Sequence, residues 1–323
     1  MSYFQSAVCC RARTNSSLAE ANPINERQDY VAELENLSQC GVCGSHTIVT
    51  VDSTNRICEC PRCGYIFDNP RPTFAEIAAL YSRTEQYDPW LAEEPARVRM
   101  WQRRLAIVRR YRSGGTLLDV GTGTGQFLAI AGRYFEARGT EISMSGARIA
   151  RERYGVDVAE GQIEDISFDT KFDVITMFHV LEHVPYPSSA IRKCSDLLHE
   201  NGILIVAVPN EISRPKPIVR RWCGRLGIKR FRTPRFSGIA RLRCDGSVNE
   251  IHVSHFTPAV LRGLLRQNGL TTVCCAPDPY YVFSEEGAEA DERARYLFFL
   301  AISTVLKLNL YDTVLAVARP MNR

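Results

Sequence analysis

The sequence predicts an α/β fold: a largely parallel sheet covered by helices on both faces, with a small cysteine-rich module ahead of it. Three observations predict it. From residue 116 onward, short β-rich runs alternate with amphipathic helical segments, the pattern of parallel strands joined by crossover helices. A glycine-rich turn joins the first of these runs to a helix. Two Cys-x2-Cys-Gly knuckles, Cys40-Gly41-Val42-Cys43-Gly44 and Cys60-Pro61-Arg62-Cys63-Gly64, precede the alternating region.

The elements follow in chain order. Residues 1–30 are polar and aperiodic and read as a flexible tail. Residues 31–72 form the cysteine module. Sixteen residues separate Cys43 from Cys60, so four thiolates can close a tetrahedral zinc site, and a glycine after each knuckle permits the turn toward sulfur. Such a closed Cys40, Cys43, Cys60, Cys63 site leaves no open position for water and is structural. Cys58 is a further thiol nearby. Residues 73–112 read as a helical linker packing on the main domain: Thr73-Phe74-Ala75-Glu76 is a capping box, Ile77, Leu80 and Tyr81 keep helical spacing, and a basic helix covers about 96–111.

Residues 113–323 hold the main domain, with strands expected at 116–120, 138–142, 156–159, 172–178, 202–208, 270–275 and 310–317. A helix is expected over 187–199, with Ile191, Cys194, Leu197 and Leu198 on one face and Gly202 after its end. Another is expected over 258–268, capped by Thr257, opened by Pro258 and closed by Gly269.

Composition sets bounds. The chain has 323 residues, 45% hydrophobic and 24% charged, as in an ordinary globular protein. A net charge of +4 says little about partners. The N-terminus lacks the apolar core of a secretory signal, and the apolar run 296–306 is shorter than the ~20 residues a spanning helix needs. The expectation is a cytoplasmic protein whose cysteines, 12 in all, point to a metal site rather than to disulfides.

The turn itself reads Leu117-Leu118-Asp119-Val120-Gly121-Thr122-Gly123-Thr124-Gly125. Glycines let its backbone approach a ligand closely. Taken alone, such a turn serves nucleotide binders of several kinds. Asp119 stands two residues before the first glycine, and Glu141 ends the next strand, where an acid can grip both hydroxyls of a ribose. The spacing Gly-x-Gly-x-Gly departs from the dinucleotide pattern Gly-x-Gly-x-x-Gly. Further on stands Phe178-His179-Val180-Leu181-Glu182-His183-Val184.

Together these residues resemble the class I S-adenosylmethionine-dependent methyltransferases, over about residues 100–320. The resemblance implies a Rossmann-like seven-stranded sheet and S-adenosylmethionine held by Asp119, Gly121, Thr122, Gly123, Gly125, Glu141 and Ile142. Gly161-Gln162-Ile163 matches the turn that frames adenine, with Gln162 where relatives often carry Asp. Phe178, which ends the strand that leads to the substrate side, belongs with these cofactor-binding residues. The ribbon and residues 67–73 resemble bacterial methyltransferases of small molecules and glycans that carry an N-terminal ribbon. Sugar C-methyltransferases of that group carry a further C-terminal domain for which this chain is short, so O-methylation is the expectation.

Methyl transfer to a hydroxyl needs an aligned acceptor and a base. Candidates are His179, after the fourth strand, and His252 and His255 in Ile251-His252-Val253-Ser254-His255-Phe256-Thr257-Pro258. This segment resembles the His…His-Phe-Ser/Thr-Pro stretch of the same bacterial group, where either histidine could be the base or could pin the segment. Glu182 and His183 read as loop support.

A basic insertion covers 211–250 and is rich in arginine and lysine, among them Arg214, Arg220, Arg221, Arg225 and Arg230, with Trp222 on an apolar side. It reads either as a solvated lid or as a surface for an anionic partner, such as a phosphate group or the inner membrane surface met by 211–243. The acceptor expected is a small-molecule or lipid-linked metabolite. An RNA acceptor lacks support, since neither an Asn-Pro-Pro-Tyr type motif nor a cysteine stands in the segment directly after the fourth strand. A non-catalytic scaffold is the other alternative, against which the intact loop and Glu141 speak.

Overall fold

The computed structural model describes residues 33–83, 87–213, 239, 251–281 and 286–321, and all structural statements concern these. The tail expected at 1–30 and nearly all of the basic insertion lie outside them.

Five short strands come first: Leu34–Glu35 (β1), Val49–Asp52 (β2), Ile57–Glu59 (β3), Ile66–Asp68 (β4) and Arg71–Pro72 (β5). β1 pairs with β5, and β2, β3 and β4 form an antiparallel meander. Each knuckle closes through its glycine: the Gly44 amide donates to the Cys40 carbonyl at 2.9 Å and the Gly64 amide to that of Cys60 at 2.8 Å, with φ of +68° and +74°.

Three helices follow: Phe74–Tyr81 (α1), Asp88–Ala92 (α2) and Glu94–Tyr111 (α3). Thr73 caps α1, its hydroxyl accepting the Glu76 amide at 3.4 Å. The buried face of α3 holds Ala96, Arg97, Met100, Arg104, Leu105 and Val108, so two arginines point inward among apolar residues.

The main sheet comprises Thr116–Val120 (β6), Glu136–Glu141 (β7), Asp157–Glu160 (β8), Phe172–Phe178 (β9), Leu198–Pro209 (β10), Leu270–Ala276 (β12) and Thr313–Pro320 (β13). A two-residue strand, Ser254–His255 (β11), belongs elsewhere. The seven strands lie in the order β12-β13-β10-β9-β6-β7-β8, and β13 runs antiparallel to both neighbours while the pairs from β10 to β8 are parallel. Gln126–Ala131 (α4), Met144–Tyr154 (α5), Pro187–Leu197 (α6), Pro258–Gln267 (α7) and Glu286–Leu306 (α8) complete the described elements. The fold class is therefore the one the sequence predicts.

Side chains alternate across the sheet, as pleating requires. Leu117, Val174, Ile203, Ile205 and Val317 join one core with Phe127, Leu128, Ala147, Leu105 and Val108. Leu118, Ile175, Leu204, Val206 and Ala316 join the other with Ile191, Leu261, Leu264 and Leu265. The second core continues into the cysteine module through Val42, Tyr65 and Phe67. On α7, Val260, Leu261, Leu264 and Leu265 are buried, and burial stabilises by about 1.5–3 kcal/mol for each such side chain.

Three boundaries differ from the expectation. The helix expected over 187–199 ends at Leu197, because the chain turns extended at Leu198 and pairs with Phe172. Gly202 lies inside β10, where a Cβ would come within 2.9 Å of the Phe172 carbonyl, so its role is close strand approach rather than helix termination. The last strand begins at Thr313 rather than 310. Helix α8 was not legible as a helix at all. It joins an acidic first half to an apolar second half, so no single amphipathic stripe runs along its length. None of the described helices is long and apolar enough to cross a membrane.

Candidate functional site

A cavity of about 360 Å³ opens at the carboxyl ends of β6, β7 and β9, where open α/β sheets bind ligands. Gly121, Gly123, Glu141, Ile142, Gln162, Ile163 and Phe178 line it. Gly121 and Gly123 take φ of +68° and +57°. A Cβ on Gly121 would lie 2.4 Å from Val180 Cγ2, and one on Gly123 would lie 3.1 Å from the Trp90 ring. The loop is thus a cradle that any side chain would fill. The Glu141 carboxylate accepts the Gly123 amide at 2.6 Å and the Ser143 amide at 2.9 Å. It therefore fixes the loop against the end of β7 while facing the cavity. Burial raises its pKa, against the pull of these amides.

Three residues expected at the cofactor, Asp119, Thr122 and Gly125, are not part of the cavity lining. Asp119 does not line the cavity; its carboxylate accepts the Thr176 hydroxyl at 2.6 Å, and burial pushes its pKa up to about 7. Thr122 is buried with its backbone amide bonded to the Thr140 carbonyl at 2.9 Å. Gly125 meets helix α5, where a Cβ would come within 2.7 Å of the Ala150 side chain. Spacing along the motif does not tell which loop residues face ligand and which face the fold.

The opposite wall was only half legible. His179, Glu182, His183 and His252 line it, joined by Tyr81 of the helix that the capping box opens, and by Trp90, Arg97, Trp101, Arg104 and Tyr280, which no motif marked. They come from α1, α2, α3 and the segment after β12, and only folding brings them together. Arg104 is fully buried and bonds Asp278, with Nε to Oδ1 at 3.2 Å. The Arg97 guanidinium lies 4.4 Å from the Trp90 ring centre. Trp101, Phe127 and Phe178 pack in tilted and edge-on contacts at centroid distances of 5.1–6.1 Å. Two arginines at helical spacing on a basic helix read as solvated, which is why sequence alone did not assign them to the cavity.

His179 sits at φ +55° with its ring 4.2 Å from that of Tyr280. Its Nδ1 is 3.2 Å from Glu182 Oε1 and its Nε2 3.8 Å from Asp278 Oδ2. Burial alone would lower its pKa; the Asp278 and Glu182 carboxylates outweigh this and raise it. His183 secures the segment that carries His252: its Nδ1 meets the Ile251 carbonyl at 2.6 Å, and the Glu182 carbonyl accepts the Val253 and Ser254 amides at 2.9 and 3.0 Å.

His252 and His255 part company. Residues three apart on an extended chain point to opposite sides. His252 lines the cavity, with Nδ1 3.1 Å from Glu211 Oε1. His255 lies in β11, which pairs with β4 of the cysteine module, and is 2% exposed. It does not reach the cavity. Its Nε2 bonds Asp68 Oδ2 at 2.9 Å and its Nδ1 bonds Glu211 Oε2 at 2.6 Å. Burial would lower its pKa, but the two carboxylates raise it to about 9. A buried imidazole already charged by two acids cannot serve as the base, which corrects its candidacy.

Two groups of metal-type donors occur among the described residues. Cys40, Cys43, Cys60 and Cys63 bring their sulfurs within 4.8 Å of one another, with Cys40–Cys63 and Cys43–Cys60 both at 3.6 Å. A tetrahedral site with Zn–S bonds of about 2.3 Å requires sulfurs about 3.8 Å apart, so the four residues fit zinc. Cys58 is buried beside the Thr50 hydroxyl and stands outside the group. The other group is Glu182, His183 and His252, whose members already engage one another and the backbone.

The chain belongs to the methyltransferase domain family, whose model matches residues 91–275. It is 34% identical over 113 residues to a ubiquinone biosynthesis O-methyltransferase of Glaesserella parasuis, covering 31% of this chain and 48% of that one. It is 30% identical over 150 residues to the protein of the same name from Marinobacter nauticus, covering 42% and 61%. The alignments thus span about half the length of these curated relatives. Among solved structures, a Burkholderia thailandensis 1,6-didemethyltoxoflavin-N1-methyltransferase superposes with a TM-score of 0.48 at 17% identity, over 85% of this chain and 99% of that one.

Proposed function

We infer that this protein is an S-adenosylmethionine-dependent O-methyltransferase acting on a small molecule that carries a hydroxyl group. One observation carries the reading: a single cavity joins a glycine cradle and Glu141 on one wall to His252 and Glu182 on the other. The bound cofactor supplies an electrophilic methyl group on a sulfonium. Glu141 would hold the ribose hydroxyls, and Gln162 and Ile163 would frame the adenine. A guanidinium suits the α-carboxylate of the amino-acid part, and Arg97, placed over Trp90, offers one. The aromatic residues Tyr81, Trp101, Phe178 and Tyr280 favour a flat acceptor and exclude water around the transferring group. Among the candidate bases, His179 stands between the Asp278 and Glu182 carboxylates, which raise its pKa, and the base is assigned to His252, whose Nδ1 faces Glu211. Asp119 would act by stiffening the loop through Thr176 rather than by touching the cofactor. The Cys40, Cys43, Cys60, Cys63 group would hold a structural zinc ion.

The ubiquinone-pathway relatives support a phenolic acceptor. The test is transfer of labelled methyl from S-adenosylmethionine to a panel of catechols, simple sugars and short RNA. Incorporation into a catechol, lost in His252→Ala, is the expected result. Incorporation only into RNA, or none with any acceptor while the cofactor fails to bind, would overturn the reading.

A further inference from the structure

We propose that Asp68, His255 and Glu211 form a buried relay that lets the cysteine module set the orientation and tautomer of the cavity histidine, His252. The proposal rests on the assignment of His252 as the base. Four side chains stand in line, acid and imidazole alternating: Asp68 to His255 at 2.9 Å, His255 to Glu211 at 2.6 Å, Glu211 to His252 at 3.1 Å. Asp68 ends β4 of the cysteine module, and His255 lies on the strand paired with it. The relay therefore starts in the module and ends in the cavity.

Each link has a physical reason to hold. Asp68 and His255 are 1% and 2% exposed, where an unpaired charge is costly and a paired one is held firmly. Two acids share the charged imidazole of His255, so both its nitrogens donate. Glu211 then has one oxygen occupied by His255 and turns the other to His252. Its pKa lies well below the usual carboxylate range; burial opposes this, and the two histidines outweigh burial. The preceding residue is anchored as well: the Asn210 side-chain amide donates to the carbonyls of Asn309 at 3.1 Å and Tyr311 at 2.9 Å.

The consequence falls on His252. An ionised Glu211 accepts from Nδ1, so Nδ1 carries the proton and Nε2 the lone pair. During transfer Nε2 takes the acceptor hydroxyl proton as the oxygen bonds the methyl carbon. The methyl–sulfur bond breaks and its electron pair stays on sulfur, so the sulfonium becomes a thioether and His252 an imidazolium facing Glu211. Glu211, His255 and Asp68 are positioning residues; none of them touches the acceptor.

The test uses full-length protein labelled with nitrogen-15 in histidine, read by side-chain nitrogen NMR, with S-adenosylhomocysteine binding measured in parallel. In the wild type, His252 is expected as the single Nδ1–H tautomer at neutral pH, and His255 as doubly protonated. Glu211→Gln should turn the His252 signal into a mixture of tautomers, while S-adenosylhomocysteine affinity stays within about twofold. Asp68→Asn, a milder change within the module, should lower the pH at which His255 loses its proton and shift the His252 signal. A His252 signal unchanged in both variants, or a wild-type His252 already in the Nε2–H form, would overturn the relay. Failure of the wild type to bind S-adenosylhomocysteine would instead count against the functional reading, so the two failures are distinguishable.

Discussion

Gly121 shows how much a single position decides. Its φ of +68° and the 2.4 Å approach to Val180 Cγ2 leave no room for a methyl group. Gly121→Ala should destabilise the protein by at least about 1 kcal/mol in urea unfolding, the scale for alanine at positive φ, and weaken cofactor binding; wild-type stability and affinity would contradict the cradle. His255 gives the second prediction at this scale. Its folded pKa, about 9, exceeds the ordinary 6.5, so its contribution is complete below pH 6.5 and fades as pH rises through 9. The gap of two to three units amounts to roughly 3 kcal/mol. The stability difference between wild type and His255→Gln should therefore shrink between pH 6.5 and 9.5. A pH-independent difference would show that His255 is not charged by Asp68 and Glu211. At residue scale the contiguous features were legible: the loop glycines, Glu141, the paired knuckles and the His179 and His252 segments. Arg104, Asp278, Asp68 and Tyr280 were not, because each acquires its meaning from a partner far away in sequence: Arg104 meets Asp278, and Asp68 meets His255.

Strand β11 is two residues long, yet it ties the cysteine module to the cavity. Its pairing with β4 is reinforced by the Tyr65 hydroxyl, 2.5 Å from that of Ser254. Losing the knuckles should therefore do more than unfold a peripheral unit. Cys60→Ser and Cys63→Ser should each reduce bound zinc and lower the melting temperature, and chelation should perturb the His252 signal of the intact chain. Undiminished zinc in both variants would sink the metal assignment. Elements with a clean period and caps were read within a few residues, as the helix opened by Thr257 and Pro258 shows. The failures are physical. Helix α8 lacks one continuous apolar stripe, and β10 starts earlier than its apolar run, because its exposed first residues, His199 to Asn201, carry no apolar signal.

Across the whole molecule, the cysteine module and the main sheet share one core, with Tyr65 and Phe67 packed alongside Leu181, Phe256 and Val260. The sequence suggested separate units joined by a helical linker, because knuckles and strand–helix alternation are different local patterns. Folding merges them around the cavity, which takes one wall from the sheet and the other from α1, α2, α3 and the histidine segments. The central claim is that this cavity holds S-adenosylmethionine with Glu141 gripping the ribose. Calorimetric titration of S-adenosylhomocysteine into the wild type and Glu141→Ala tests it most directly. One site per chain is predicted, with affinity lost by roughly 10- to 100-fold in the variant, the scale of a charged hydrogen bond of about 1.5–3 kcal/mol. No binding by the wild type, or equal affinity in Glu141→Ala, would contradict it.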